Sequence, residues 1–154
     1  MILNKQVGVF LNLVHCQFKQ YLHQVFIKHG FNLTPEQYLV MDTLWDEGVL
    51  SQQQIADIIT KDKNSITKLI DGLESKGLVK RIPDENDRRL NKIHLTEMAK
   101  SLKDDVTEVA IASTDAIIKD IPKEELLLFV RVLNKMSENM NPEIRKVRQN
   151  GNTV

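Results

Sequence analysis

Between residues 61 and 92 the chain gathers the side chains best suited to a polyanion. Lys63, Asn64, Ser65, Thr67 and Lys68 crowd into one short stretch, and Arg81, Arg88 and Arg89 follow. Ammonium groups on flexible stems suit phosphate oxygens, while short amide and hydroxyl groups suit phosphates or base edges approached closely. Nine basic residues stand against six acidic ones in this span, on a chain of formal net charge zero. So small an excess means that placement, not total charge, must do the recognition.

Other chemistries are poorly supplied. His15, His23, His29 and His94 sit at no ligand spacing, so neither a metal nor a cofactor is expected. Six glycines leave little room for a phosphate-cradling loop, and no nucleophile elbow is present, which argues against an enzyme. The single cysteine, Cys16, rules out an intrachain disulfide. On a mostly apolar helix it reads as a small core residue. The alternative is a reactive thiol with His15 beside it, although adjacent helical residues do not face each other. Tyr38 and Trp45 lie seven apart, the spacing of a core stripe, and are also the candidates to line an effector cleft. Asn4, Gln6 and Asn12 interrupt the apolar N-terminus, and no run is long enough for a bilayer. A cytoplasmic protein without membrane contact is the expectation.

The elements that must position the basic cluster are clearly punctuated. Val7, Phe10, Leu11, Val14, Phe18, Tyr21, Leu22 and Val25 repeat at helical spacing, and Gly30 ends that helix. Thr34-Pro35-Glu36-Gln37 and Ser51-Gln52-Gln53-Gln54 are capping boxes that open two further helices. A third starts at Asp62, buries Ile66, Leu69, Ile70 and Leu73, and stops at Gly77. Its polar face then carries Lys63, Asn64, Ser65, Thr67 and Lys68, with the helix N-terminus adding a field favourable to phosphate. A strand is expected over Leu78 to Ile82 with Pro83 ending it, then a polar hairpin over Asp84 to Arg89 and a return strand over Asn91 to Leu95. Thr96 caps a long helix from about Glu97 to Asp120, and Pro122 opens a last one carrying Leu126, Phe129, Val130, Leu133 and Met136. Asn141 to Val154 is polar and expected to fray.

Three helices and a two-stranded wing make a mainly α fold with a small β wing, a winged helix-turn-helix flanked by N- and C-terminal helices. In that arrangement the third helix enters the major groove of double-stranded DNA and the wing reaches backbone or minor groove. The division expected is 1–32 for an N-terminal dimerisation helix, 33–96 for the DNA-binding domain, 97–142 for C-terminal dimerisation helices and 143–154 for a flexible tail. The terminal helices are too apolar for the outer layer of a monomer, which points to a homodimer. A winged-helix protein-interaction subunit is the rival reading, since fold does not dictate function.

Residues Leu33 to Ala99 resemble the multiple-antibiotic-resistance regulator (MarR) family. The likeness is carried by Leu33 to Tyr38, Ser51 to Ile59, Lys63 to Ile70, the Leu73-Glu74-Ser75-Lys76-Gly77-Leu78-Val79 exit, the wing Asp84-Glu85-Asn86-Asp87-Arg88-Arg89 and the junction Leu95-Thr96. Ala99 stands where the family often has glycine, a change that suits a helix interior. The resemblance implies a homodimer on a pseudo-palindromic operator, with terminal helices intertwined. It also implies Arg89 in the minor groove, Asp87 holding it by an ion pair, and Arg81 contacting backbone or bracing the loop. It further implies repression relieved by a small-molecule effector, or thiol sensing near the position of Cys16.

Overall fold

The computed structural model describes residues 2–140. Every helix that the sequence marks with a cap begins there. Thr34 Oγ1 accepts the Gln37 amide at 3.1 Å while Gln37 Oε1 accepts the Thr34 amide at 3.2 Å, and α2 runs Pro35–Glu47. Ser51 and Gln54 repeat the reciprocal pair at the head of α3, Gln52–Ile59. Asp62 accepts the Ser65 amide at 2.9 Å and starts α4, Lys63–Ser75. Each box satisfies amides that a helix leaves without partners at its N-terminus. Before them, α1 spans Leu3–Lys28, and Gly30 takes a positive φ of 80° that an L side chain rarely adopts.

The sheet differs from the expected hairpin. β1 (Leu50–Ser51) pairs antiparallel with β3 (Asn91–Leu95), which pairs with β2 (Val79–Pro83), giving the order β1-β3-β2. A two-residue strand is too short for an alternating pattern to announce itself, so β1 was invisible in the sequence. β2 begins one residue later than expected and keeps Pro83 as its last residue, which pairs with Asn91. Proline is tolerated at such an edge position.

One core joins α1 to α6. Phe26, Met41, Leu44, Ile55, Ile66, Ile70, Leu73 and Ile93 are fully buried in it. Leu69, expected inside, is only half-buried. The helix expected from Glu97 to Asp120 turns at Leu102 and divides into α5 (Glu97–Ser101) and α6 (Lys103–Ile117). Leu102 itself joins both helices, its amide donating to the Met98 carbonyl and its carbonyl accepting the Val106 amide. Ala99, Val106 and Ala110 of these helices join the same core as the winged module, and the chain divides into two units only after Asp115.

The apolar stripe of α1 is covered over part of its length. Leu22 and Phe26 are buried, whereas Val7, Phe10, Leu11 and Val14 are exposed, Phe10 by 56%. Cys16 lies in this uncovered stretch and is exposed, so the expectation of a core thiol does not hold within one chain. In the second unit, α7 (Lys123–Met140) has no buried residue and exposes Leu127, Leu128, Phe129 and Val130. Among the described residues no helix is long and apolar enough to cross a membrane. The expected flexible tail, 143–154, lies outside the described residues.

Candidate nucleic-acid interface

The first turns of α4 bring Lys63, Asn64 and Lys68 to the surface, with Ser65 and Thr67 half-buried beside them. The two hydroxyls are less free than their sequence suggests. Ser65 Oγ–H donates to Asp62 Oδ2 at 2.6 Å, and Thr67 Oγ–H donates to the Lys63 carbonyl at 2.9 Å. With their protons committed, both side chains face solvent chiefly as acceptors. The field of the helix N-terminus is also already used. Asp62 caps it, and hydrogen bonds from the Ser65 hydroxyl and amide hold its carboxyl below the usual range. At this helix the exposed lysines, rather than the helix end, remain available to an anion.

The wing is rigidified from within. Asp84 Oδ1 accepts the amides of Asn86 and Asp87 at 2.8 and 3.2 Å, and Lys92 pairs with the same carboxylate at 3.6 Å. Backbone bonds from Asp84 to the Leu90 carbonyl and from Leu90 to the Asp87 carbonyl close the loop. At its tip Arg89 makes a bidentate pair with Asp87, Nε to Oδ1 at 3.0 Å and Nη2 to Oδ2 at 2.9 Å. The Arg89 side chain stays 89% exposed while so held. The paired guanidinium first, and then the Arg89 amide, lower the Asp87 carboxyl, and the carboxylate raises Arg89 in return. Arg88 is exposed next to it.

Arg81 has a different position from the other wing cations. It is 19% exposed and bonds Asp71 at 2.6 Å and Glu74 at 3.1 Å on α4, and Gln52 Oε1 at 3.1 Å on α3. Its guanidinium braces β2 against two helices, which leaves little of it for a phosphate. Lys76, counted with the basic residues of the sequence, is likewise turned inward. Its ammonium donates to the Asn32 carbonyl at 2.8 Å and to Gln37 Oε1 at 2.7 Å, and burial lowers its pKa. Gln52, Asp71 and Glu74 escaped sequence reasoning because their role depends on three elements meeting, and no spacing along the chain encodes that.

A cleft of about 560 Å³ opens between α1, α2, the end of α3 and α6. Tyr38 lines it, with His15, Phe18, Ile59 and Ile111 among the other walls. Lys19 of α1 pairs with Glu36 of α2 at its edge. Burial pushes the Glu36 carboxyl up, but the Lys19 ammonium, a backbone bond and Lys61 outweigh it and leave it lowered. Burial, with Asp42 and Asp46 nearby, pushes the Tyr38 phenol up to about 12, so it stays a neutral hydroxyl at ordinary pH. Trp45 is not in this cleft. Its indole N–H donates to the Ala99 carbonyl at 3.0 Å and ties α2 to α5. Cys16 does not line the cleft either, although its neighbour His15 does.

Residues 33–90, from the head of α2 through the wing, match the MarR family profile. A MarR family domain spans these residues. It is similar to the HTH-type transcriptional regulator MgrA of Staphylococcus aureus, with 29% identity over 78% of this chain and 82% of MgrA. It is similar also to the HTH-type transcriptional regulator MhqR of Bacillus subtilis, 28% identical over 85% of this chain and 89% of MhqR. Among solved structures, reduced AbfR bound to DNA superposes with a TM-score of 0.74 at 25% identity, covering 90% of this chain and 94% of AbfR. MarR family members are DNA-binding transcription regulators, not enzymes. In this chain the winged helix-turn-helix is formed by α2, α3, α4 and the three-stranded sheet.

Proposed function

We propose that this protein is a sequence-specific repressor that binds a pseudo-palindromic operator as a homodimer and is released by a small-molecule effector. The observation that carries the reading is the Asp87–Arg89 pair, which holds a planar cation out at the wing tip in one geometry. A guanidinium presented in this way suits a narrow, strongly negative minor groove. Lys63 and Lys68 then serve phosphates, Asn64, Ser65 and Thr67 lie nearest the bases, Arg88 adds backbone affinity, and Arg81 acts as a brace. AbfR, of similar fold, has been seen on DNA, which supports the same partner here.

The homodimer reading rests on the uncovered apolar faces of α1 and α7. On this view 1–32 and 97–142 contribute the pairing surfaces, 33–96 the DNA-binding domain, and the protein works in the cytoplasm. The effector reading rests on the Tyr38 cleft, which abuts both α1 and the head of α2. A ligand there changes how the two elements are held together. The deciding experiment is a fluorescence-anisotropy salt titration on the duplex enriched from a random pool and on a scrambled duplex. Tighter binding to the enriched duplex, with a steep salt slope, supports the proposal, and equal weak binding to both overturns it.

Thiol control is the second reading, favoured by the exposure of Cys16. Peroxide-induced release from DNA that disappears in Cys16→Ser would establish it. Release that persists in the variant would leave the effector cleft as the switch.

A further inference from the structure

The first residue of α3, Gln52, lies half-buried where α3, α4 and β2 meet. Its amide bonds two different elements. Nε2–H donates to Thr67 Oγ1 on α4 at 3.3 Å, and Oε1 accepts from Arg81 Nε on β2 at 3.1 Å. Chemistry dictates this orientation, because a guanidinium offers only donors and so must face the amide oxygen. Thr67 already donates its own proton to the Lys63 carbonyl. With one lone pair taken by Gln52, the hydroxyl is held in a single orientation and keeps one acceptor site for a base amino group and a methyl group for apolar contact. Arg81 is filled in the same manner, by Gln52, Asp71 and Glu74.

We propose that Gln52 is a positioning residue for DNA readout. One amide sets the orientation of Thr67 on the recognition helix and ties the wing base to that helix, without touching DNA itself. The proposal rests on the DNA-binding reading above. It separates from a direct phosphate contact by its signature. Losing a phosphate contact weakens all duplexes alike and flattens the salt slope, whereas losing an orienting bond narrows the preference for one sequence and leaves the slope unchanged.

The test uses full-length Gln52→Ala and Gln52→Glu, titrated against the duplex that the wild type enriches from a random pool and against its scrambled counterpart. Gln52→Ala is expected to narrow the preference by about threefold to tenfold, the worth of one hydrogen bond, at constant salt slope. Gln52→Glu keeps the acceptor for Arg81 but loses the donor to Thr67. It should retain slow exchange of the Arg81 Nε proton in the free protein while its preference narrows. In a Thr67→Val background, Gln52→Ala should cost less than it does alone, the mark of a shared bond. Equal loss on both duplexes with a flatter slope would show a phosphate contact and overturn the proposal. Wild-type preference retained in Gln52→Ala would overturn it alone, and a wild type that prefers no duplex would overturn the DNA reading and this proposal together.

Discussion

Arg89 combines high exposure with a tightly defined geometry, and its energetics follow from that combination. A long side chain loses rotamer entropy when it binds, and Asp87 removes much of that freedom beforehand. Arg89→Ala is expected to weaken specific binding by roughly ten- to a hundredfold and to reduce preference for A·T-rich flanks. Asp87→Ala should cause part of the same loss even though it removes a negative charge from a surface that meets phosphate. Charge counting alone requires tighter binding from that variant, so anisotropy on one duplex separates the two accounts. The resemblance of the wing to the MarR pattern made this pair legible in the sequence. The resemblance left Arg81 between a backbone contact and a brace, and Lys76 was not legible as a brace, because its acceptors lie on other elements. On the proposed DNA-binding reading, exposed Lys63, Lys68, Arg88 and Arg89 would carry more of the burden than a count along the chain implies.

At the scale of elements, α4 and the wing are both held by carboxylates with lowered pKa values, Asp62 at the helix cap and Asp84 and Asp87 in the loop. A carboxyl whose folded pKa lies below its unfolded value adds stability above the unfolded pKa and loses it as pH falls through the folded one. The recognition helix and wing are thus expected to loosen at acid pH ahead of the buried core. Amide protection factors, which correct for the slower intrinsic exchange in acid, check this at pH 7 and at about pH 2.5, below the ordinary Asp range, with protection expected to fall first at Ser65, Asn86 and Asp87, whose amides these carboxylates accept. Asp62→Ala should lower the melting temperature by about 2–4 °C, the usual effect of a lost N-cap in a domain of this size. Caps were the most legible feature of the sequence because each is a local bargain between residues three apart. β1 and the turn at Leu102 were hidden for the opposite reason. One arises only by pairing with β3, and the other falls in a run that no glycine or proline marks.

At the scale of the whole molecule, Val7, Phe10, Leu11 and Val14 form an apolar surface that nothing in the first unit covers, and Leu127, Leu128, Phe129 and Val130 form another on α7. Sedimentation at low micromolar concentration is expected to give twice the monomer mass, and Phe10→Asp to shift it toward one. A wild-type monomer at that concentration would remove the basis for the paired operator. The helical periodicity of α1 was plain in the sequence, but the extent of its covering was not, since a stripe shows which face is apolar and not what meets it. The uncovered stretch of α1 also lies on an element separate from α4 and the wing. A copy with a damaged wing would keep its means of pairing, so it would draw intact copies into mixed pairs with one functional reading head. Where such a copy is made in excess, the regulated promoter should open although a normal gene is still present. The inheritance of wing mutations would then be dominant, and a second change on α1, such as Phe10→Asp, would make it recessive.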